Sequence, residues 1–241
     1  MLDKDVGLAN KFENFVGGII IMDMNASIAR KYETIKPNDG IIYLFLKRTI
    51  DILGSLTGLI LLSPLFLIVA LAIKIEDPKG KVFFAQNRCG KDNKTFQMYK
   101  FRSMVSNAEE LLEELMEYNE MDGPVFKIKE DPRITKVGKF IRKTSIDELP
   151  QLFNILIGNM SIVGPRPAIP HEVAEYDDYQ RQRLLVKPGL TCIWQVSGRN
   201  SIGFDEWVDM DLEYIEKRNL WMDIKLIFKT VGVLFGDDNA S

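Results

Sequence analysis

The sequence predicts a mainly α-helical protein with one small β-hairpin and one long apolar helix broken near its middle. Three observations carry this. Residues 53–73 hold no charged side chain over a length that matches the hydrocarbon core of a bilayer. Residues 82–85 and 96–101 read as strands around a polar, glycine-containing stretch at 87–95, the pattern of a hairpin. Residues 108–118, 149–156 and 213–235 are apolar in the manner of helices.

Taken in order, residues 1–45 form an N-terminal extension. Its apolar run at 15–22 is too short to span a bilayer and lacks the basic start of a signal peptide, so it reads as an amphipathic surface segment. In the run at 53–73, Ser63 and Pro64 interrupt the helix, because proline removes a hydrogen bond and clashes with the preceding turn. Both flanks are basic, with Lys47 and Arg48 before it and Lys74, Lys79 and Lys81 after it, so both ends prefer the same side of a membrane. A helix that enters, breaks at Ser63-Pro64 and returns satisfies both facts, with the Ser63 hydroxyl supplying part of the hydrogen bonding the break removes. A kinked span and a buried core helix are the other readings of the same residues.

The remainder reads as a soluble unit facing the cytoplasm. In 108–118, Leu111, Leu112, Leu115 and Met116 share one helix face. In 213–235, Trp221, Ile224, Ile227, Val231 and Leu234 are mixed with Lys217, Arg218, Lys225 and Lys229. Such a helix lies either in a membrane interface or on the domain core.

Composition removes several functions. The net charge of −3 gives no basic field for nucleic acid. Two distant cysteines, Cys89 and Cys192, provide no CxxC or Cys/His cluster for zinc and no disulfide framework. His171 is the only histidine, so multi-histidine metal chemistry is excluded. Any chemistry must rest on carboxylates, Lys, Arg and a hard metal ion.

Residues 131–166 are the densest polar cluster, with Asp131, Arg133, Arg142, Asp147, Glu148, Asn154 and Arg166 interleaved with apolar residues. That mixture suits a site holding phosphates and a divalent cation together. Pro150 is tolerated only in a first helical turn, which places a helix start near residues 145–147 and Asp147 and Glu148 at its N-terminus. An ionised aspartate there can attack phosphorus, the adjacent glutamate can hold Mg²⁺, and Arg142 can grip a phosphate. The structural alternatives are plain. Ser145-x-x-Glu148 also matches a capping box. Lys100 and Arg102 also fit the exposed face of a strand, and Asp131-Pro132-Arg133 fits a turn with a surface ion pair.

As a set, the motifs resemble the bacterial sugar transferases, the monotopic phosphoglycosyl transferases, over about residues 47–235. They run from Lys47-Arg48-Thr-Ile-Asp51 and Ser63-Pro64 through Gln86-Asn-Arg88, Tyr99-Lys100-Phe-Arg102 and Asp131-Pro-Arg133. They continue with Arg142-Lys-Thr-Ser-Ile-Asp147-Glu148, Gly164-Pro-Arg166-Pro167, Lys187-Pro-Gly189-Leu-Thr191 and Trp194-Gln195-Val-Ser-Gly198-Arg199. The resemblance implies a monotopic protein of the cytoplasmic membrane, with a re-entrant helix over 46–75 and a cytoplasmic catalytic domain over 76–241. It implies transfer of a sugar phosphate from a UDP-sugar to polyprenyl phosphate, typically undecaprenyl phosphate, with release of UMP, at the start of capsule or exopolysaccharide assembly. Downstream glycosyltransferases would be partners. Asp147 would be the nucleophile, Glu148 and Asp147 the Mg²⁺ ligands, and Arg142, Arg166, Lys100, Arg102, Arg133, Gln195 and Arg199 contacts to the substrates.

Two departures stand out. Many members carry glycine after the threonine of Lys187-Pro-Gly-Leu-Thr191, where this chain has Cys192. Large members carry a multi-span half upstream, where about 45 residues precede the motifs here, the expectation for a short form. The rival expectations are a carboxylate-based hydrolase and a non-catalytic membrane scaffold. Adjacent carboxylates fit a glycosidase poorly, because its two carboxyl groups flank the bond some way apart.

Overall fold

The computed structural model describes residues 34–119, 128, 130–197 and 203–236. The segment at 15–22 lies outside them, as does Arg199.

Two helices open the fold, α1 (Ile41–Leu61) and α2 (Ser63–Glu76), bent by 59° at Leu62. Pro64 sits in the first turn of α2, where its missing N–H is no loss. Ser63 Oγ donates to the Ile60 carbonyl at 2.8 Å, part of the compensation a break requires. The helical pair extends beyond 53–73 in both directions. No single helix among the described residues is long and apolar enough to cross a membrane, but the bent pair together has the length and composition.

The first half of α1 is keyed into the body of the protein by charge. Lys47 Nζ donates to the Val163 carbonyl, the Tyr214 hydroxyl and Asp223, at 2.9–3.1 Å. Arg48 donates to the carbonyls of Ile155 and Leu156. Asp51, buried, accepts from the Ser161 hydroxyl and the Ile162 N–H. Lys47 and Arg48 read in the sequence as a basic membrane flank, yet both turn inward. A cationic side chain satisfies either role, and only the tertiary partners decide. Farther along, apolar side chains such as Leu53, Ile60, Leu61, Leu67 and Ile68 face outward, each about 60–71% exposed.

The hairpin pairs β1 (Phe83–Cys89) with β2 (Thr95–Phe101) from Phe83 opposite Phe101 to Cys89 opposite Thr95. The first strand outlasts the expected 82–85, because residues 87–89 also pair. The turn shrinks to 90–94, with Asp92 and Asn93 left-handed, a conformation their short polar side chains tolerate. The expected helix at 108–118 is reduced to α3 (Leu112–Leu115) and one 3₁₀ turn (Met116–Tyr118). Like charges at Glu110 and Glu114 oppose it, and few buried contacts offset the cost of nucleating it.

Then come α4 (Lys136–Lys143), α5 (Gln151–Ile157), β3 (Ser161–Val163), α6 (Pro170–Glu175), α7 (Asp178–Arg181) and β4 (Gly189–Thr191). Strands β3 and β4 pair in parallel. Beside them Gly164 and Gly189 touch backbone to backbone, and a Cβ on Gly189 would sit 2.1 Å from Gly164 N. The expected helix at 213–235 is divided into α8 (Phe204–Lys217) and α9 (Leu220–Gly236). Asn219 Oδ1 accepts from Met222 N and starts the second helix, a cap that an apolar periodicity does not reveal.

One cluster of buried side chains joins α2 to the hairpin and α4 through Val69, Ile73, Phe101 and Ile141. A second joins α1 and β2 to α5 through Met98, Leu152, Ile155 and Met160. Ile146, in the turn that carries Asp147, packs against the first cluster.

Candidate active site

Helix α4 ends at Thr144, and the next residue, Ser145, is left-handed at φ 54°. A non-glycine residue costs about 1–2 kcal/mol in that conformation. Its reward is direction: the chain reverses into a 3₁₀ turn (Ile146–Glu148) that runs on into α5. Helical backbone thus starts where the sequence places it, but as a 3₁₀ turn ahead of the α-helix. The capping box is not made. The Ser145 side chain caps nothing, and Glu148 instead meets Lys100 at 2.6 Å.

Asn154 fixes this arrangement. Fully buried on α5, it accepts from Tyr99 N at 3.0 Å and donates to the Gln97 carbonyl at 2.7 Å. It satisfies the β2 edge as a neighbouring strand would, and so sets the Asp147-Glu148 turn against the strand that carries Lys100.

A small, shallow pocket opens beside the turn, with Arg88, Lys100, Glu148, Gln151, Arg166 and Gln195 among its lining. Asp147 is not in that lining and is 7% exposed. Burial pushes its carboxyl up to about 6; Glu148 adds to the rise, and Lys100 and Arg142 oppose it. The group is therefore still largely ionised at neutral pH.

The structure gathers some of the sequence candidates and leaves others outside. Lys100, Glu148, Arg166 and Gln195 converge on the pocket, and Arg142 lies close enough to act on Asp147 through its field. Arg102 and Arg133 lie elsewhere. Strand β2 ends at Phe101, and Arg102 turns to Asp77. Arg133 is buried against Asp131 at 2.6 Å and the Ala108 carbonyl. The expected turn with an ion pair is present there, though buried rather than on the surface. His171 is exposed beside Glu175 on α6 and is not part of the pocket lining.

Arg88 has the opposite history. It is 6% exposed, lines the pocket and was not singled out in the sequence as a site residue. The hairpin register would have found it: Lys100 opposes Phe84, so Phe84, Gln86 and Arg88 share the face of Lys100. Burial and the charge of Arg166 push its guanidinium down to about 10, which leaves it protonated. Arg166 lies 5.9 Å from the ring of Trp207, itself stacked on Trp194 at 4.3 Å.

Among the described residues no three His, Cys, Asp or Glu side chains converge as a ready metal cage. Two adjacent carboxylates do fit Mg²⁺, which takes one or two carboxylates and completes its shell with water and substrate phosphates. Burial is the main cause of the rise at Asp147, and the repulsion that Glu148 adds to it is what a cation would relieve.

Comparison with known proteins places this geometry. The sequence profile described as bacterial sugar transferase matches residues 42–237. The chain is 47% identical over 193 residues to a galactosyl transferase, CpsE, of Streptococcus agalactiae, covering 80% of this chain and 42% of that one. It is 47% identical over 204 residues to an undecaprenyl-phosphate galactose phosphotransferase of Salmonella typhimurium, covering 81% and 42%. It is 40% identical over 208 residues to the exopolysaccharide production protein ExoY of Sinorhizobium fredii, covering 85% and 90%. The chain thus spans less than half the length of the first two relatives and nearly all of the third.

Proposed function

The chain belongs to the bacterial sugar transferase family, and on that premise we propose that it transfers a sugar-1-phosphate from a UDP-sugar to polyprenyl phosphate, releasing UMP. The observation that carries the reading is the turn at 146–148. It holds a buried, ionisable Asp147 and a lysine-paired Glu148 beside a pocket whose other polar lining is cationic or neutral. The names of relatives supply the chemistry, since they include an undecaprenyl-phosphate galactose phosphotransferase and a UDP-glucose:undecaprenyl-phosphate glucose-1-phosphate transferase.

The reaction divides into two displacements. An Asp147 oxygen bonds the sugar-bearing phosphorus, the phosphoanhydride bond breaks, and UMP leaves with the electron pair. An oxygen of the polyprenyl phosphate then bonds the same phosphorus and expels Asp147, giving the polyprenyl-diphosphate sugar. Division in two lets one pocket receive a water-soluble donor and a lipid acceptor in turn. Burial keeps water from the aspartyl phosphosugar, and Lys100 and Arg142 favour the ionised nucleophile. Glu148 and Asp147 would hold Mg²⁺, which would supply charge neutralisation of the diphosphate.

The bent α1–α2 pair is proposed as a re-entrant element of the cytoplasmic membrane, with the pocket on the cytoplasmic side where donor and acceptor meet. Its exposed apolar side chains and the keyed first half of α1 support this. Exposed Trp221 and Phe228 on α9 give that helix an interfacial role in the same arrangement. The step initiates capsule or exopolysaccharide assembly; the name of one relative, an exopolysaccharide production protein, supports the second.

The test is UMP release from a panel of UDP-sugars by the purified protein with Mg²⁺, with and without undecaprenyl phosphate. Lipid-dependent release by wild type and a loss of more than about a thousandfold in Asp147→Asn are expected. Release that needs no lipid would turn the reading to a hydrolase. Absence of release with every donor would turn it to a scaffold, and normal turnover in Asp147→Asn would remove the nucleophile.

A further inference from the structure

Arg88 is more than nine-tenths buried and its Nε has no hydrogen-bond partner. Its remaining nitrogens are held by neutral acceptors, the Pro167 carbonyl at 2.9 Å and Gln86 Oε1 at 2.7 Å. No carboxylate pairs with it or with Arg166 among the described residues, whereas Lys47, Arg102, Arg133, Arg183 and Arg218 each pair with an aspartate. Glu172 and Glu148 act on Arg88 only through their fields, so it is a buried guanidinium without a paired carboxylate, which is costly, and the charge of Arg166 raises the cost. Two neighbouring guanidiniums, one locked by neutral acceptors and one laid over Trp207, are the arrangement that suits an incoming dianion.

We propose that Arg88 and Arg166 form a phosphate seat, and that it receives the phosphate that stays on the departing nucleoside monophosphate. The assignment rests on the transfer reaction proposed above. Displacement at phosphorus is in line, so the nucleophile and the leaving oxygen lie on opposite sides of the reacting atom. Asp147 and Glu148 come from the turn before α5, while the arginines come from β1 and the segment after β3. Both arginines line the pocket, whereas Asp147 lies outside its lining, so the arginines are placed apart from the nucleophile.

The experiment is calorimetric binding of UMP, adenosine monophosphate, uridine and farnesyl phosphate to the full-length protein in detergent, for wild type, Arg88→Gln and Arg88→Lys. Wild type should bind UMP more tightly than uridine. Arg88→Gln should lose about ten- to a hundredfold in UMP affinity, the scale of a hydrogen bond to a charged group, and leave uridine unchanged. Arg88→Lys, which keeps the charge and one donor, should recover part of the loss. Far-UV circular dichroism checks the fold, and if Arg88→Gln is misfolded the same comparison is read in Arg166→Gln.

UMP affinity equal to wild type in a folded variant overturns the seat. A loss confined to farnesyl phosphate overturns its assignment to the nucleotide and gives it to the acceptor. If wild type binds uridine monophosphate and adenosine monophosphate alike, with Arg88 needed for both, the seat stands and the uridine-nucleotide reading falls.

Discussion

The ammonium of Lys100 lies 2.6 Å from Glu148 Oε1, joining the hairpin to the turn that carries Asp147. Both side chains are partly exposed, at 23% and 29%, so the pair adds little to stability, about 1 kcal/mol or less. Its field acts on Asp147, which makes its effect on rate the larger one. Lys100→Met is expected to lower transfer by about ten- to a hundredfold while moving the urea midpoint only slightly. Parallel turnover and denaturation measurements check this, and unchanged turnover would remove Lys100 from the machinery.

Asn154 should behave in the reverse manner. Asn154→Ala leaves the Tyr99 N–H and the Gln97 carbonyl without partners in a buried place, at an expected loss of about 2–4 kcal/mol. Asn154→Asp retains an acceptor for Tyr99 but no donor for Gln97. It should fall between wild type and alanine at a pH where the carboxyl is protonated, and near or below alanine where it is ionised. Equilibrium denaturation of the three proteins would decide, and equal stabilities would sink the clamp.

Arg183 and Asp211 form a fully buried ion pair at 2.7–2.8 Å, with Tyr176 sharing the guanidinium. Removal of one partner leaves a charge without a counter-ion, so Asp211→Ala is expected to cost about 3–5 kcal/mol. The double replacement Arg183→Met with Asp211→Leu should recover most of that. A single variant within about 1 kcal/mol of wild type would contradict this.

Burial alone would raise the Asp131 carboxyl, but hydrogen bonds from the Arg133 side chain and backbone hold it below the usual carboxylate range. An acid depressed in the folded state stabilises it fully above its unfolded pKa, about 4, and loses that contribution as pH falls through the folded value. The stability advantage of wild type over Asp131→Asn should therefore be constant from about pH 7 to 5 and shrink below about pH 4. Thermal unfolding across that range would show it; an advantage that grows on acidification would reverse the sign.

How far the sequence could be read follows from the range of the forces involved. Proline cannot continue a helix past its first turn, and the strands around residues 87–95 pair locally, so the bent helix and the hairpin were legible. Asp147 and Glu148 were legible as a helix start because Pro150 restricts the turn. Arg102 and Arg133 were not separable from Lys100 and Arg166, because composition names a cation and only the tertiary structure names its partner. Asp51 and Asn154 were hidden for a related reason. Each satisfies a backbone more than fifty residues away, and no local pattern marks such a residue.

The bond between Lys47 and Asp223 spans 176 residues. At about 5–20 residues per second, a ribosome makes Asp223 roughly 9–35 s after Lys47. During that interval the first helix has its apolar side chains and its ammonium but not its buried counter-ion, and the Val163 carbonyl and Tyr214 hydroxyl that share that ammonium also arrive late. Arg48 and Asp51 find their partners by residue 162, so the opening helix is held first at those points, and its last contact closes when the last described helix has been made.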